Sequence, residues 1–212
     1  HHRSSAASDV YKRQNKTLME EILKKEISLG ESSRIGLFGG SFNPAHEWHF
    51  QVAKHACEIL KLDKIIWLVS PHNPLKDKKT LFSLDDRLES AKKIGRSPNF
   101  IITDVEKKLE IQYSIDTISI FQETFLSKKF VWIMGSDNAA QIQQWKDWRL
   151  ILEKIAIAIY PRATHPLNEV EKILEKYSNK IDEGNAEDLI KLETPCFTFI
   201  NGPMNCLLYT SP

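Results

Sequence analysis

Two histidines three residues apart, His46 and His49, follow a glycine pair, Gly39 and Gly40, within residues 34–54 (RIGLFGGSFNPAHEWHFQVAK). Imidazoles at that spacing in the first turn of a helix share a face and can offer two N–H donors to one anion. Glycines let a ligand approach the backbone, and a helix N-terminus presents unpaired amides and the positive end of its dipole. Each feature alone is ordinary. A glycine pair after a strand is most often a tight turn, and a lone histidine is most often a cap or a packing residue. Side by side they point to chemistry on a phosphate.

The elements needed to hold them can be read around them. Residues 35–38 form a short apolar run that suits a buried parallel strand. Gly39 and Gly40 are expected to end it, and Asn43-Pro44 to continue the turn. From Glu47 the pattern is helical, with Phe50, Ala53, Cys57 and Leu60 facing a sheet. A second strand, 64–70 (KIIWLVS), is stopped by the prolines of Pro71-His72-Asn73-Pro74. Ser83 caps a helix over 83–95, with Asp85 and Asp86 in its first turn and Arg87 reading as a surface or ion-pairing residue. A third strand spans 100–103, and Asp104 and Glu106 read as its polar end, without a catalytic role.

A helix over 113–125 follows, then a fourth strand over 129–134 that runs into Gly135-Ser136-Asp137-Asn138. An aspartate after a small-residue turn at a strand's carboxyl end suits a ribose hydroxyl or a metal-bound phosphate, and suits a helix N-cap equally. Trp145 and Trp148 are expected on one helix face. A fifth strand spans 154–160 and ends at Pro161-Arg162; residues 168–191 read as a helix and a polar loop, and 196–200 as a sixth, short strand. Strands alternating with helices imply an α/β fold, a Rossmann-like doubly wound parallel sheet in a single domain.

With 29 basic and 28 acidic residues among 212, the net charge of +1 gives no footprint for a nucleic-acid partner. No stretch is long and apolar enough to suggest a membrane helix. Cys57, Cys196 and Cys206 have neither metal spacing nor a disulfide framework, which fits a reducing cytoplasm. Both ends read as foreign. Residues 1–14 contain SDVYKRQ and residues 206–212 read CLLYTSP, both of which resemble translated sequencing-adapter DNA. On that reading 15–205 is the native domain, opening on a short amphipathic helix that carries Leu18, Ile22 and Ile27.

The segment GGSFNPAHEWH resembles the GG-S/T-F-D/N-PxHxGH signature of the nucleotidyltransferase superfamily. Later segments are similar to its bacterial nicotinate-nucleotide adenylyltransferase branch: residues 67–76 to WxVSPxNPLK, 113–117 to YTxDT, 134–138 to MG-A/S-DN, 145–148 to WxxW, and 161–162 to a PR step. The resemblance implies that the enzyme joins nicotinate mononucleotide to the AMP moiety of ATP and expels pyrophosphate, with Mg2+ accompanying ATP. It implies His46 and His49 as catalytic donors, and an ATP site built from these two together with Gly39, Gly40, Ser41, Phe42, Gly135 and Asp137. Asn43, Lys76, Thr117, Asp137, Trp145 and Arg162 would contact the substrates. By their residues alone, Lys76 reads as a loop lysine, Thr117 as a helix-surface residue and Arg162 as a surface arginine at even odds.

The chain departs from the pattern in three places. Trp48 stands where HxGH has glycine, and its indole would either fill the ATP site or point away along the helix. Ile142-Gln143 replaces a Phe-His pair, and the C-terminal ISSTxIR segment has no counterpart. The alternatives are an adenylyltransferase acting on nicotinamide mononucleotide or phosphopantetheine, or a nucleotide-binding protein without catalysis.

Overall fold

The computed structural model describes residues 3–71, 81–162 and 164–201, with side chains from Gln14 onward. Seven strands form one sheet: β1 (Arg34–Gly40), β2 (Lys64–Val69), β3 (Phe100–Thr103), β4 (Lys129–Gly135), β5 (Ala156–Tyr160), β6 (Asn179–Ile181) and β7 (Cys196–Phe199). Their order is β3-β2-β1-β4-β5-β7-β6, and every neighbouring pair is parallel. The helices are α1 (Arg3–Glu26), α2 (Glu47–Ile59), α3 (Leu84–Ile94), α4 (Val105–Lys108), α5 (Ser114–Thr124), α6 (Ser136–Ala140), α7 (Trp148–Lys154) and α8 (Leu167–Leu174). Two 3-10 segments, Ile142–Gln144 and Glu183–Lys191, complete the described elements.

Strand alternation divides the core into two layers. Ile35 and Leu37 of β1, Ile66 and Leu68 of β2, and Trp132 and Met134 of β4 pack on one face with residues of α1, α5, α7 and α8. Phe38, Trp67, Ile133 and Ala158 point to the other face, against α2, α3 and the 3-10 segment at 183–191. With both faces covered, the central strands are apolar throughout, as a buried parallel sheet requires. The chain winds from β1 outward to β3, then returns to place β4 on the other side of β1. This reversal opens a crevice between the carboxyl ends of β1 and β4, where doubly wound sheets bind ligands.

Several expected boundaries move. Gly39 and Gly40 do not break β1. They pair with Leu68 and Val69 as its last residues, because the ladder is made by backbone groups and needs no side chain. The α2 face that enters the core is His49, Val52, Ala53 and Ala56, whereas Phe50 and Cys57 are only half-buried at its margin. The first helix is longer than expected at its start, beginning at Arg3, and ends at Glu26; it buries Leu23, Ile27 is buried just past its end, and Leu18 stays 55% exposed. Asn179–Ile181, read as loop, pairs with β7 at the sheet edge, so the strand at Cys196 is the seventh. Residues 206–212 lie outside the described residues.

Candidate active site

A cavity of about 420 Å³ opens at the carboxyl ends of β1, β4 and β5. Gly39, Gly40, Ser41 and Phe42 form one wall, and His46 and His49 border it at the start of α2. The far wall carries Asp137, Tyr160 and Arg162. Residues more than a hundred positions apart thus meet at the topological switch point.

The turn between β1 and α2 is held rigid. Phe42 adopts a positive φ of 44°, a region costly for a residue with a Cβ. It is 3% exposed and is held there by other rings. Its ring stacks on Trp67 at 5.2 Å and meets Phe38 and His49 edge-on at 5.3 and 5.2 Å. His46 is the N-cap residue of α2, with extended backbone. Its backbone N–H donates to Nδ1 of His49 at 3.2 Å, and the two rings lie 4.1 Å apart. A neutral imidazole that accepts at Nδ1 carries its proton on Nε2, so the bond selects His49 as an Nε2–H donor. Burial, reinforced by the positive charge of Arg162, holds His46 below its ordinary pKa, which keeps this ring neutral as well at physiological pH.

Behind the opposite wall, Gly135 ends β4 without itself bordering the cavity. A Cβ there would run into Asp137 Oδ1 and crowd Tyr160 and the Arg162 side chain, so a larger residue would displace the Asp137 carboxylate. Asp137 sits in the first turn of α6, whose N-cap is Gly135, so the competing role of N-cap does not fall to Asp137. Its Oδ1 is buried without a hydrogen-bond partner and lies 3.9 Å from Nε of Arg162, which is in the same state. The Arg162 backbone N–H donates to Ser136 Oγ at 2.8 Å. Tyr160, which the sequence did not single out, is 5% exposed, and burial pushes its phenol up to about 12. Trp48 does not border the cavity. Its indole meets Tyr160 edge-on at 4.9 Å and lies under the Arg162 guanidinium at 4.3 Å.

A buried polar brace supports the site from below, and both of its charged members are inside the protein where their residue types suggest solvated positions. Arg87 is 2% exposed instead of on the surface. Its guanidinium donates to the carbonyls of Ser41 (2.7 Å), Ser70 (2.8 Å), Phe82 (3.1 Å) and Pro71 (3.2 Å). Glu106 is 7% exposed and accepts from Ser70 Oγ at 2.9 Å and from Thr117 Oγ1 at 2.7 Å. Ser70 also donates its N–H to the Gly40 carbonyl at 3.0 Å. One residue at the end of β2 therefore ties the glycine strand to Arg87 on one face of the sheet and to Glu106 on the other. The signal available in the sequence was a charge in a well-patterned helix for Arg87 and a charge at a strand end for Glu106, and solvated charges give the same patterns.

Burial pushes the Glu106 carboxyl above its ordinary value, against the opposing pull of the Thr117 and Ser70 hydroxyls. An acid whose folded-state pKa is raised contributes stability that is fully present below its unfolded value and is lost as pH rises through the folded one. Glu106→Gln cannot ionise. Its melting temperature is expected to gain on the parent's as pH rises above the ordinary glutamate range, by about 2–4 °C per kcal/mol of ionisation cost. Parallel melting curves for the two proteins over that rise would contradict this.

The remaining expected residues are distributed as follows. Asn43 Oδ1 accepts the Phe82 backbone N–H at 2.8 Å, which fixes the segment leading into α3, and Asn43 also borders the cavity. Thr117 is fully buried with its hydroxyl directed to Glu106, so it is not the helix-surface residue that its pattern suggested. Trp145 and Trp148 do not share a helix face: Trp145 ends the 3-10 segment in extended conformation and Trp148 begins α7 after a left-handed Asp147. Trp148 instead meets Tyr177 edge-on at 4.8 Å, and Ile142 enters the core at 1% exposure. Lys76 lies outside the described residues. Among the described residues, no three His, Cys, Asp or Glu side chains converge on a metal position, and no helix is long and apolar enough to cross a membrane.

A family model described as cytidylyltransferase-like matches residues 37–189, which hold the glycine strand end, both histidines and Arg162. A protein named "Probable nicotinate-nucleotide adenylyltransferase" from Parvibaculum lavamentivorans is 38% identical over 182 residues, covering 84% of this chain and 90% of its own. One of the same name from Brucella suis is 37% identical over 179 residues, covering 84% and 92%. Solved structures of Plasmodium falciparum nicotinic acid mononucleotide adenylyltransferase share the fold. The form titled as a complex with NaAD has a TM-score of 0.63 at 20% identity, over 81% of this chain and 76% of that one. The form titled as a complex with APC has a TM-score of 0.62 at the same identity, over 81% and 75%. By these matches, together with a histidine pair and glycine strand end set at the switch point of a parallel sheet, the chain belongs to the nicotinate-nucleotide adenylyltransferase family of nucleotidyltransferases.

Proposed function

We propose that this chain joins nicotinate mononucleotide to the AMP moiety of Mg-ATP, giving deamido-NAD and pyrophosphate. The observation that carries the reading is the convergence of His46, His49, the glycine strand end and Arg162 on one cavity. An oxygen of the mononucleotide phosphate attacks the α-phosphorus of ATP. The bond from that phosphorus to the bridging oxygen breaks, and pyrophosphate leaves with the electron pair. No general base is needed, because a phosphomonoester with a second pKa of about 6 is already largely dianionic at neutral pH. The protein must instead bring two anions together and stabilise the added negative charge, which is a task for positioning and fixed donors.

His49, held as an Nε2–H donor, and neutral His46 offer hydrogen bonds to the transferring and leaving oxygens. Arg162 supplies positive charge from the far wall. Mg2+ would enter on ATP and neutralise its phosphates, and Asp137, with a buried Oδ1 that takes no hydrogen bond, is the carboxylate suited to meet its water shell. Lys76, Asn43 and Trp145 are the residues we assign to the mononucleotide side, with backbone amides near Thr117 and Trp145 reading the nicotinate carboxylate, while the buried Thr117 side chain braces that side through Glu106. ATP-dependent chemistry and free thiols at Cys57 and Cys196 suit a cytoplasmic setting.

The test is pyrophosphate release with Mg-ATP and nicotinate mononucleotide, with nicotinamide mononucleotide as the comparator. Release with nicotinate preferred by about 10²-fold or more is expected, since a site built for a carboxylate leaves donors unpaired against the amide. Equal rates would remove the nicotinate assignment. No release with either substrate, alongside retained ATP binding, would leave a nucleotide-binding protein without catalysis.

A further inference from the structure

We infer that Trp48 is a positioning residue for the nucleoside triphosphate site: its indole holds the Arg162 guanidinium face-on, so that the in-plane N–H groups of the arginine are presented to the phosphates. The inference rests on the functional reading above. It concerns a residue that stands where the family motif carries glycine.

Three observations lead to it. The guanidinium carbon lies 4.3 Å from the centre of the Trp48 ring and 5.4 Å from that of Tyr160, so two aromatic rings approach the same cation. Among the described residues the carboxylate paired with Arg162 is Asp137, at 3.9 Å from Nε, which is beyond a hydrogen bond. Nε itself is buried and has no acceptor. The Arg162 side chain shares a hydrogen bond with Tyr160, and the approach of the Trp48 and Tyr160 rings supplies the rest of its placement. Its backbone is fixed separately by the bond to Ser136 Oγ.

Face and edge do different work in a guanidinium. The π-face is weakly hydrated and is attracted to the quadrupole of an indole, while all five N–H donors radiate in the plane. An arginine held by a salt bridge has spent part of that edge on its partner. One held by stacking keeps the edge for a ligand, in the fork geometry that matches phosphate oxygens. Arg162 borders the same cavity as Gly39, Gly40, His46 and His49, and its charge reaches the His46 ring. The anion that fits between them is the polyphosphate of a nucleoside triphosphate. Trp48 reaches Arg162 from the second position of α2, one residue before His49, so a single helical turn carries both a phosphate donor and the platform for the arginine opposite.

The experiment measures calorimetric binding of an ATP analogue with a methylene bridge between its α- and β-phosphates, together with the KM for ATP. Trp48→Ala is expected to weaken both by about tenfold, and Trp48→Phe, which keeps an aromatic face, by less than about threefold. In an Arg162→Met background, Trp48→Ala is expected to have no further effect, as two residues acting through one interaction require. Alanine is a good helix former, so α2 is preserved, and thermal melting of each variant checks this. Unchanged binding in Trp48→Ala, tighter binding in it, a phenylalanine variant as weak as the alanine one, or additive effects with Arg162→Met would each overturn the inference. Tighter binding would mean that the indole obstructs the nucleotide. Because the analogue is not turned over, these results are read whether or not pyrophosphate is released, and failure of the catalytic reading is seen separately in the release assay.

Discussion

Replacing His49 by alanine is expected to lower kcat by about 10²–10³-fold while changing the KM for ATP by less than about threefold, because the lost donor acts on charge that develops in the transition state. The imidazole is 8% exposed, ringed by Phe42, Phe38 and Trp48, and oriented by the His46 N–H bond to its Nδ1. Such a donor needs no reorganisation during the reaction, which is the condition under which a single hydrogen bond is worth most. Alanine removes the donor and also leaves the His46 N–H without its acceptor, at a stability cost of about 1 kcal/mol. Asparagine supplies an acceptor oxygen and an amide donor in a shorter side chain, so His49→Asn should recover part of the rate where His49→Ala does not. A loss in His49→Ala that appears entirely in KM would place His49 in ground-state binding and remove it from catalysis.

The largest stability effect is expected at Arg87. Arg87→Met keeps the bulk of the side chain but leaves the carbonyls of Ser41, Ser70, Pro71 and Phe82 without their donor. Hydrogen bonds to a charged group are worth about 1.5–3 kcal/mol each, and the total is reduced by the desolvation no longer imposed on the guanidinium. We expect a loss of about 3–5 kcal/mol, or roughly 6–20 °C in melting temperature for a chain of this size. Activity should fall further than unfolding explains, even well below the melting point, since Arg87 ties the Ser41 carbonyl to the ends of β2 and α3. Arg87→Lys can satisfy some of those carbonyls but not all four from one ammonium, and should lie between parent and Met. A melting temperature unchanged in Arg87→Met would show that the brace is not what holds the turn.

The comparison of these two residues explains what could be read early. His49 was legible because its partners are local: a glycine pair nine residues before it and a helix starting two residues before it. Arg87 was not, because its acceptors are the backbone carbonyls of positions up to 46 residues away, and carbonyls leave no trace in residue types. Glu106 was missed for a related reason. Its partners, Ser70 and Thr117, are 36 and 11 residues away, and a buried acid accepting two hydroxyls has the same one-letter signature as a solvated one. The expected tryptophan pair does not share a face because Asp147 adopts a left-handed φ of 50° between them and interrupts the helix that their spacing suggests.

By itself the sequence determined the alternation of strands and helices, the apolar character of the central strands and the anion-binding start of α2, since each depends on periodicity, propensity and backbone groups close along the chain. Only the tertiary structure decided which residues of the distant strand ends face that start. Strand order placed β4 and β5 beside β1, bringing Asp137, Tyr160 and Arg162 opposite the histidines. It also decided the role of Trp48. Whether an indole fills a nucleotide site or stands under an arginine 114 residues later depends on the position of that arginine, and this was set by the pairing of β5 with β4.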